Sequence, residues 1–387
     1  MRHSTDRILT THVGSLPRPA AVLDLMKAGR GGPELDDAIR QAVDEVVGEQ
    51  AAHGVDVVTD GEQSKAGFFG YVAERLTGFE PRPGTGPELW SAEVRAFPEY
   101  YAEYFRRAMT GGSVVTLDPL VCVGPVAYRG QEAIARDVAN LKAALERQPH
   151  VEAFMPAVAP SGIGFMAGSS DAVNEYYPSY QEYLFAIADA LHEEYRAIVD
   201  AGFLLQVDDP FLTDILGDTT LELAARHERA DLFVAAANRA LDGIPPDRVR
   251  YHTCYSINEG PRVHDVALAD VLPWVLKVRA TGLSFEAANA RHEHEYHTFE
   301  TVKLPDDRLL LPGVITHASN IVEHPELIAE RLTRLAALVG RENVIASGDC
   351  GFSSQATYRP EVDPKVMWAK FDAMRDGAAL ASERLWR

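Results

Sequence analysis

The sequence predicts a single (β/α)8 TIM barrel with a long insertion after the second strand. Eight short apolar runs recur along the 387 residues, and each is followed by a polar or glycine-rich cluster and then by a helical pattern. No stretch near the middle resembles a linker between two domains, and no Gly-x-Gly-x-x-Gly or P-loop sequence follows any run. These three observations favour one barrel domain over residues 1–387 rather than a two-domain, doubly wound arrangement.

The apolar runs define the predicted strands, at residues 9–13, 55–59, 151–158, 203–207, 249–253, 282–285, 309–315 and 344–347. Between the strands, apolar residues recur at helical spacing, as Ile39, Val43 and Val47 do in the second helix, which Gly54 closes. The helices are predicted around 22–26, 35–53, 131–145, 180–201, 220–241, 263–279, 287–300, 325–339 and 364–381.

The insertion covers residues 63–150. It holds a Pro/Gly-rich piece at 81–87, an aromatic segment from Phe97 to Phe105, a hairpin predicted at 114–128 and the helix at 131–145. A loop-rich insertion beside a strand end often forms the lid or wall of a pocket. A self-packed subdomain explains the same pattern, and the sequence leaves both interpretations open.

Composition restricts the classes of partner. The formal net charge of −20 argues against a nucleic-acid or anionic-membrane partner, which would need a basic face. No apolar run is long enough to span a membrane, and the N-terminus lacks the apolar core of a signal peptide, so we expect a cytoplasmic protein. Three cysteines in such a chain indicate metal or catalytic use rather than a disulfide framework.

Two of these cysteines belong to a predicted metal site. His252 and Cys254 are two residues apart on a strand, which places both side chains on one face, and Cys350 follows another strand. One imidazole and two thiolates suit tetrahedral Zn²⁺, and Glu286, after the sixth strand, is the candidate fourth ligand. Taken singly, each residue has a structural explanation, such as an inert buried cysteine, a satisfied histidine or a helix-capping carboxylate. Cys122, in the insertion, is assigned to the inert class.

The barrel prediction brings further polar residues to the same end of the molecule, because active-site groups in such barrels follow the carboxyl ends of the strands. The residues at the predicted strand ends are His12 and Ser15, Asp60 and Glu62, Ser161, Asp208 and Asp209, His252 and Cys254, Glu286, Thr316 and His317, and Asp349 and Cys350. His292, His294 and His297 lack the i, i+4 spacing of paired ligands on a helix, so we interpret them as supporting groups or as a solvated face.

These motifs resemble the catalytic barrel of cobalamin-independent methionine synthases over most of the chain. His252-Thr-Cys254-Tyr is similar to the family's His-x-Cys-Tyr zinc motif, Glu286 to its strand-end glutamate, and Gly348-Asp-Cys350-Gly to its Asp-Cys-Gly ligand. The segments around Ser15, Glu62 and Asp208 resemble those that hold the carboxylate and amino group of homocysteine. His317 resembles a histidine proposed to protonate the leaving group, although the local sequence is Thr-His-Ala-Ser rather than Ile-His-Ser.

The resemblance implies zinc-dependent transfer of an alkyl group, most simply a methyl group, to the thiol of homocysteine. It implies a small-molecule thiol acceptor and an alkyl donor as partners. Two-barrel members of the family use their other half to bind a folate donor, and this chain predicts only one barrel, so the donor is left open. A homo-oligomer is compatible with the sequence.

Three alternatives remain at this point. Epoxyalkane:coenzyme M transferases are single-barrel relatives that open an epoxide with a zinc-bound thiolate, and the segment from Phe285 to Glu295 hints at that group. Glu62 and Asp208 favour an amino-acid thiol instead, because two buried carboxylates would repel a sulfonate. A metal-free barrel of the uroporphyrinogen decarboxylase type predicts a basic pocket without metal. A purely structural zinc site predicts four protein ligands and no open position.

Overall fold

The protein is an eight-stranded parallel barrel in a computed structural model that describes residues 1–68, 70–82, 90–107, 112–115, 118–166, 174–255 and 260–387. The barrel strands are β1 Leu9–Thr10, β2 Val57–Val58, β5 Glu152–Val158, β6 Leu204–Asp208, β7 Val249–His252, β8 Gly282–Phe285, β9 Leu309–Ile315 and β10 Ile345–Gly348, and the insertion adds β3 Phe79–Pro81 and β4 Leu120–Cys122. The barrel strands pair in the order β1-β10-β9-β8-β7-β6-β5-β2. The predicted (β/α)8 fold is confirmed, and all eight strands lie within or next to the predicted runs.

The first and second strands meet at the seam of the barrel. The amide of Asp56 donates to the carbonyl of Thr10 at 3.1 Å, and the hydroxyl of Thr11 donates to the carbonyl of Val57 at 2.9 Å. These bonds bring β1 and β2 together and leave the barrel nearly closed. All eight carboxyl ends therefore face one mouth.

The strands are apolar because they are buried on both faces, toward the barrel interior and toward the surrounding helices. Every residue of β9 is buried, and so is every residue of β6. The helices bury one face each. In Tyr180–Asp200 the residues Leu184, Leu191 and Ile198 are fully buried at seven-residue spacing, and the Ser179 hydroxyl caps the helix by accepting from the Glu182 amide at 3.2 Å.

Most helices match their predicted positions within a few residues. The α-helices are Ala20–Lys27, Pro33–Ala52, Val72–Arg75, Ser91–Ala96, Pro98–Arg107, Gln131–Leu145, Pro160–Met166, Tyr180–Asp200, Phe211–Gly217, Leu223–Ala240, Leu268–Val275, Thr298–Thr301, Pro325–Val339 and Pro364–Leu385, and the 3-10 helices are Pro246–Arg248, Glu293–His297 and Arg341–Asn343. Among these described helices, none combines the length and apolarity needed to cross a membrane.

Two local predictions are wrong. The helix expected at 287–300 is replaced by turns, the 3-10 helix Glu293–His297 and the short helix Thr298–Thr301. The hairpin expected at 114–128 has a different partner, because β4 pairs antiparallel with β3 from earlier in the insertion. Most of the Pro/Gly-rich piece at 81–87 lies outside the described residues.

The insertion between β2 and β5 contacts loops at the mouth of the barrel. The buried Glu93, on its helix Ser91–Ala96, accepts from the amides of Val263 at 2.8 Å and His264 at 2.6 Å, in the segment that follows β7. The Tyr104 hydroxyl donates to Glu361 at 2.8 Å. These contacts place the insertion against the mouth, and a lid-like motion stays a prediction.

Candidate active site

Two strand ends, separated by β8 and β9, bring three donor atoms together. Cys254 lies two residues after the last residue of β7, His252, and Cys350 lies two residues after the end of β10. One ligand atom from each of these residues, hereafter the His/Cys cluster, lies within 4.8 Å of the others, and the two sulfurs are 3.5 Å apart. Within the described part of the chain, no other three His, Cys, Asp or Glu residues form such a group.

The imidazole of His252 is in the state that a metal ligand requires. Its Nδ1 lies 3.1 Å from the Ser284 hydroxyl on the neighbouring strand β8, whereas its buried Nε2 has no hydrogen-bond partner among the described residues. Burial lowers the pKa of His252 to about 3, with a further contribution from Arg250, so the ring is neutral. A neutral imidazole with one nitrogen oriented by a hydroxyl and the other unpaired fits Zn²⁺ coordination.

Glu286 is not part of the His/Cys cluster in this structure. Its Oε1 accepts from the Tyr255 amide at 2.9 Å, and its Oε2 accepts from the Asn289 side chain at 2.6 Å and lies 3.5 Å from Arg291. Burial raises the pKa of the Glu286 carboxyl, and Arg291 opposes that shift. Both oxygens are engaged by protein donors, so the role of Glu286 as fourth ligand stays a prediction.

Asp349 fastens the loop after β8 to the strand end that carries Cys350. Its Oδ1 accepts from the amides of Ala287 and Ala288, both at 2.8 Å, and its Oδ2 accepts from Asn289 at 3.0 Å. The carboxylate crosses β9 at Gly313, where a Cβ atom would overlap Oδ1. The aspartate before the cysteine therefore has a structural task, and a glycine on β9 makes room for it.

Two carboxylates, Glu62 and Asp208, lie in a buried acidic pocket at the same mouth. Glu62 has a left-handed backbone (φ 57°), and its buried Oε2 has no hydrogen-bond partner within the described chain. Asp208 accepts from the Gln206 side chain at 2.8 Å, and burial together with the charge of Glu62 raises its pKa well above the usual value. The Lys65 ammonium, held by the Pro156 carbonyl at 2.5 Å, opposes the pKa shifts of both carboxylates. A strained residue with an unpaired carboxylate oxygen is typical of a ligand site.

Ser15 lies next to the His/Cys cluster. Its carbonyl accepts from the Phe352 amide at 2.9 Å, and its hydroxyl occupies the space where a Cβ at Gly351 would be. A side chain at position 351 would displace the Ser15 hydroxyl, and Ser15 is placed beside Cys350 on the side of the mouth that β1 forms.

The comparisons with known proteins agree with this geometry. A sequence model of the family "Cobalamin-independent synthase, Catalytic domain" matches residues 8–86 and 132–370. The chain belongs to this family. The gap in the match falls within the insertion and includes the aromatic segment, so the family features concern the barrel rather than that segment.

Methionine synthases from two archaea align along most or nearly all of the chain. The methionine synthase of Sulfolobus acidocaldarius is 25% identical, covering 88% of this chain and 85% of the relative, and that of Saccharolobus solfataricus is 24% identical, covering 98% and 96%. In three dimensions, a B12-independent methionine synthase from Shewanella sp. W3-18-1, solved in complex with selenomethionine, superposes with a TM-score of 0.72 at 19% identity, covering 98% of this chain and 99% of that one. These relatives are similar in length to this chain.

His317 is buried at the end of β9. Its Nδ1 has no hydrogen-bond partner among the residues that the structure describes, and burial lowers its pKa to about 3, with contributions from Arg291 and Lys370. Its loop is held by a buried ion pair, because Lys370 donates to Glu323 at 2.9 Å and Glu323 accepts from the Thr316 amide at 2.8 Å. The structure places His317 at the mouth as a neutral imidazole, and its catalytic role stays a prediction.

Other strand-end residues of this family member serve the fold. His12 contacts the Gln50 side chain at 2.8 Å and accepts from the Gly14 amide at 3.2 Å. Asp209 accepts from the hydroxyls of Ser161 and Tyr251, both at 2.7 Å. Because their polar atoms are engaged by the protein, these residues have little capacity left for a ligand.

The three histidines after Glu286 were expected to be supporting groups or part of a solvated face, and the structure shows one of the first kind and two of the second. His292 is buried, stacks on Tyr255 with ring centroids 3.8 Å apart and lies 2.9 Å from Glu295. Burial alone would lower the pKa of His292, but hydrogen bonds to Asp265 and Glu295 raise it to about 9. His294 and His297 are exposed. His292 therefore supports the tyrosine that follows Cys254, and the other two form a solvated face.

Sequence reasoning missed three residues at the mouth: Arg18, Lys65 and Ser284. Ser284 is invisible to a search for ligands because its task is to orient His252 from the next strand. Arg18 and Lys65 lie three residues after Ser15 and Glu62, and their burial is the signal that only the folded chain provides. Charged side chains with exposed fractions of 5% and 4% need a partner or a function.

Proposed function

We propose that this protein transfers a methyl group to the thiol of homocysteine, giving methionine, with Zn²⁺ held by the His/Cys cluster. The observation that carries the proposal is the convergence of His252, Cys254 and Cys350 within 4.8 Å at the mouth of a barrel of this family, with His252 Nε2 left without a partner in the described chain. One imidazole and two thiolates leave a tetrahedral ion a further position for a substrate. A Zn²⁺ ion bound there would keep a coordinating thiol deprotonated at neutral pH.

The remaining residues support an amino-acid thiol as acceptor. Glu62 and Asp208 supply carboxyl oxygens that would accept hydrogen bonds from its amino group, and Ser15 lies beside Cys350 where the acceptor's carboxylate end would be bound. The relative from Shewanella was solved with selenomethionine, an analogue of the proposed product. The decarboxylase alternative requires a basic pocket, whereas this mouth holds three buried carboxylates, Glu62, Asp208 and Asp60, beside the buried cations Arg18 and Lys65.

His317 and Glu286 complete the proposed site. His317, as a neutral imidazole, would donate a ring N–H to the departing group of the donor. Glu286 would serve as fourth ligand while no acceptor is bound, after exchanging its bonds from Asn289 and the Tyr255 amide for the metal, and it would yield that position to the acceptor thiol. The insertion, which contacts the loop after β7 through Glu93, would form a wall over the donor.

The test is zinc content together with thiol dependence. We expect about one zinc per purified chain, and a change in zinc coordination by X-ray absorption when homocysteine, but not coenzyme M, is added. His252→Ala and Cys350→Ser should lose zinc and methyl transfer together. Cys122→Ser is the matched control, because that cysteine is buried with its thiol on the Gly124 carbonyl and should leave zinc binding unchanged.

Three results would contradict the proposal: a zinc content near zero with His252→Ala fully active, a response to coenzyme M alone, or zinc coordination that no thiol changes. The first favours a metal-free reaction, the second epoxide opening, and the third a structural metal site. X-ray absorption identifies the acceptor thiol whatever the chemical nature of the alkyl donor.

A further inference from the structure

Arg18 is a buried cation with unused donors at the mouth of the barrel. Its side chain is 5% exposed, and Nη1 donates to the Ser353 carbonyl at 2.9 Å, three residues after Cys350. Nε and Nη2 are buried and have no hydrogen-bond partner among the described residues. A guanidinium without its full set of acceptors loses hydration that nothing in the described chain replaces, so a ligand that supplies acceptors would bind favourably there.

The charge around Arg18 indicates what kind of ligand that is. Burial lowers the pKa of Arg18 to about 10, and the charges of Glu62 and Asp60 oppose that shift, so the guanidinium is charged at neutral pH. Arg18 and Glu62 thus attract each other, yet within the described ranges neither forms an ion pair at 4.0 Å or less. Each of these two opposite charges also keeps buried atoms without a hydrogen-bond partner in the described chain, so a molecule that carries both signs would satisfy both.

The backbone holds Arg18 in this position. Pro17 and Pro19 flank it, and a residue before a proline is restricted to extended conformations. The segment connects β1 to the helix Ala20–Lys27, and Ser15 at its start lies beside Gly351. Arg18 is therefore fixed on the same short loop as Ser15, and this loop lies beside the one that carries Glu62, since the Leu16 amide donates to the Gly61 carbonyl at 3.1 Å.

We propose that Arg18 binds the carboxylate of the acceptor amino acid while Glu62 and Asp208 bind its amino group, so that the site selects thiols and thioethers with a zwitterionic end. This inference rests on the proposed function for the identity of the acceptor. It adds the residue that recognises the anionic half of the acceptor. The guanidinium presents two free N–H groups to two carboxylate oxygens, the pairing for which arginine geometry is suited.

Methionine and two truncated analogues test the assignment by direct binding. 3-(Methylthio)propylamine is methionine without its carboxylate, and 4-(methylthio)butanoate is methionine without its amino group. Calorimetric titration of the purified protein measures each affinity without any methyl donor. Arg18→Gln should weaken methionine and the butanoate about 10- to 100-fold, the range expected for hydrogen bonds to a charged group, and leave the amine unchanged. Glu62→Gln should weaken methionine and the amine instead.

Two further variants control for charge and burial. Arg18→Lys keeps the positive charge but cannot bind a carboxylate in the bidentate manner of a guanidinium. It should bind methionine more tightly than Arg18→Gln does and less tightly than wild type does. Arg308→Gln is the matched control, because Arg308 is also buried, with Nε and Nη1 lacking hydrogen-bond partners in the described chain, but precedes β9 at the opposite end of the barrel. It should leave all three affinities unchanged.

The inference is overturned if Arg18→Gln weakens the amine as much as methionine, or if it changes no affinity. Failure of the Arg18 assignment can be distinguished from failure of the proposed methyl transfer. If the ligands follow the expected pattern but homocysteine is never methylated, the proposed reaction fails and Arg18 keeps its assignment. If homocysteine is methylated and Arg18→Gln does not discriminate, the Arg18 assignment fails alone. A wild-type protein that binds none of the three ligands overturns it as well.

Discussion

Buried polar groups in the wall of the barrel differ from those at its mouth. In the wall, Glu194 accepts from the hydroxyls of Tyr71 at 2.9 Å and Tyr128 at 2.6 Å and from Arg75 at 3.0 Å. Burial alone would raise the pKa of Glu194, but Arg75 and its other donors lower it below the usual value. This carboxylate is charged and fully engaged by the protein.

At the mouth, the corresponding atoms lack partners among the described residues. Glu62 Oε2, His252 Nε2, His317 Nδ1 and two nitrogens of Arg18 are buried and unpaired there. Native proteins seldom leave such groups unsatisfied, because each costs about 1–3 kcal/mol. The comparison teaches that buried polar groups of similar type differ here in saturation, meaning whether the protein itself supplies a hydrogen-bond partner for each atom. Lack of saturation marks a candidate ligand site only where several such groups converge, because Arg308, at the other end of the barrel, is unsatisfied as well.

The largest expected effect on stability lies in the wall. Glu194→Ala leaves Arg75 with Asp137 as its remaining close acid partner in the described chain, and it should cost about 3–5 kcal/mol in the free energy of unfolding, measured by urea titration. Glu62→Gln at the mouth is the matched control and should change that free energy by less than about 1 kcal/mol. Equal losses for the two variants would remove the distinction between wall and mouth.

A sharper form of the comparison uses adjacent residues. In Asp209→Asn, an NH2 group replaces one of the two oxygens that accept from the hydroxyls of Ser161 and Tyr251, and this group cannot accept a hydrogen bond. The variant should therefore cost about 1–3 kcal/mol in the free energy of unfolding. Asp208→Asn should leave stability unchanged or higher and weaken 3-(methylthio)propylamine binding about 10-fold or more. Chemical denaturation and calorimetric titration of both variants provide the measurements. A loss of stability for Asp208→Asn and a loss of amine affinity for Asp209→Asn would show that saturation does not distinguish the roles of the two residues.

Per pH unit, the smallest effect is on the pH dependence of stability, and its sign differs between the regions. The pKa of Asp208 is raised by burial and by Glu62, so above the ordinary carboxyl pKa the native state retains a proton that the unfolded state releases. The free energy of unfolding then falls with rising pH, by at most about 1.4 kcal/mol per pH unit for this group. Glu194, whose pKa is lowered, contributes stability that is present above the unfolded pKa and lost as pH falls through the native pKa.

Unfolding free energies measured from about pH 4 to 8 test both signs. Asp208→Asn should remove a negative slope and so gain stability over wild type as pH rises. Glu194→Gln should remove a positive contribution that wild type loses only at low pH. Identical pH profiles for wild type and Asp208→Asn would mean that Asp208 titrates normally in the folded protein.

The sequence was sufficient for the barrel because parallel strands buried on both faces leave continuous apolar runs, and because glycines and polar clusters end them. The residues after Glu286 show where this reasoning stops. A helix was expected at 287–300, but Asp349, more than sixty residues along the chain, accepts from the amides of Ala287 and Ala288 and so fixes a different backbone. Partners that distant leave no trace in local periodicity.

In the candidate site, too, local sequence predicted some features and contacts between distant residues fixed the others. Residue type and spacing predicted that His252, Cys254 and Cys350 converge, because strand ends fix where a side chain begins. They could not predict that Glu286 is held by Asn289 and the Tyr255 amide, since that depends on side-chain rotation. Arg18 escaped notice because an arginine in a polar loop is ordinarily exposed, and only packing reveals its 5% exposure.

The separation of Cys254 and Cys350 by 96 residues has a consequence for how the protein would acquire the proposed metal ion. Cys350 follows the last strand, which pairs with both β9 and β1. A growing chain that ends before β10 carries only two of the three donors, so it chelates a metal ion weakly. High-affinity capture of the proposed ion would then coincide with closure of the barrel, and an ion bound across β7 and β10 would cross-link the finished fold as a disulfide does.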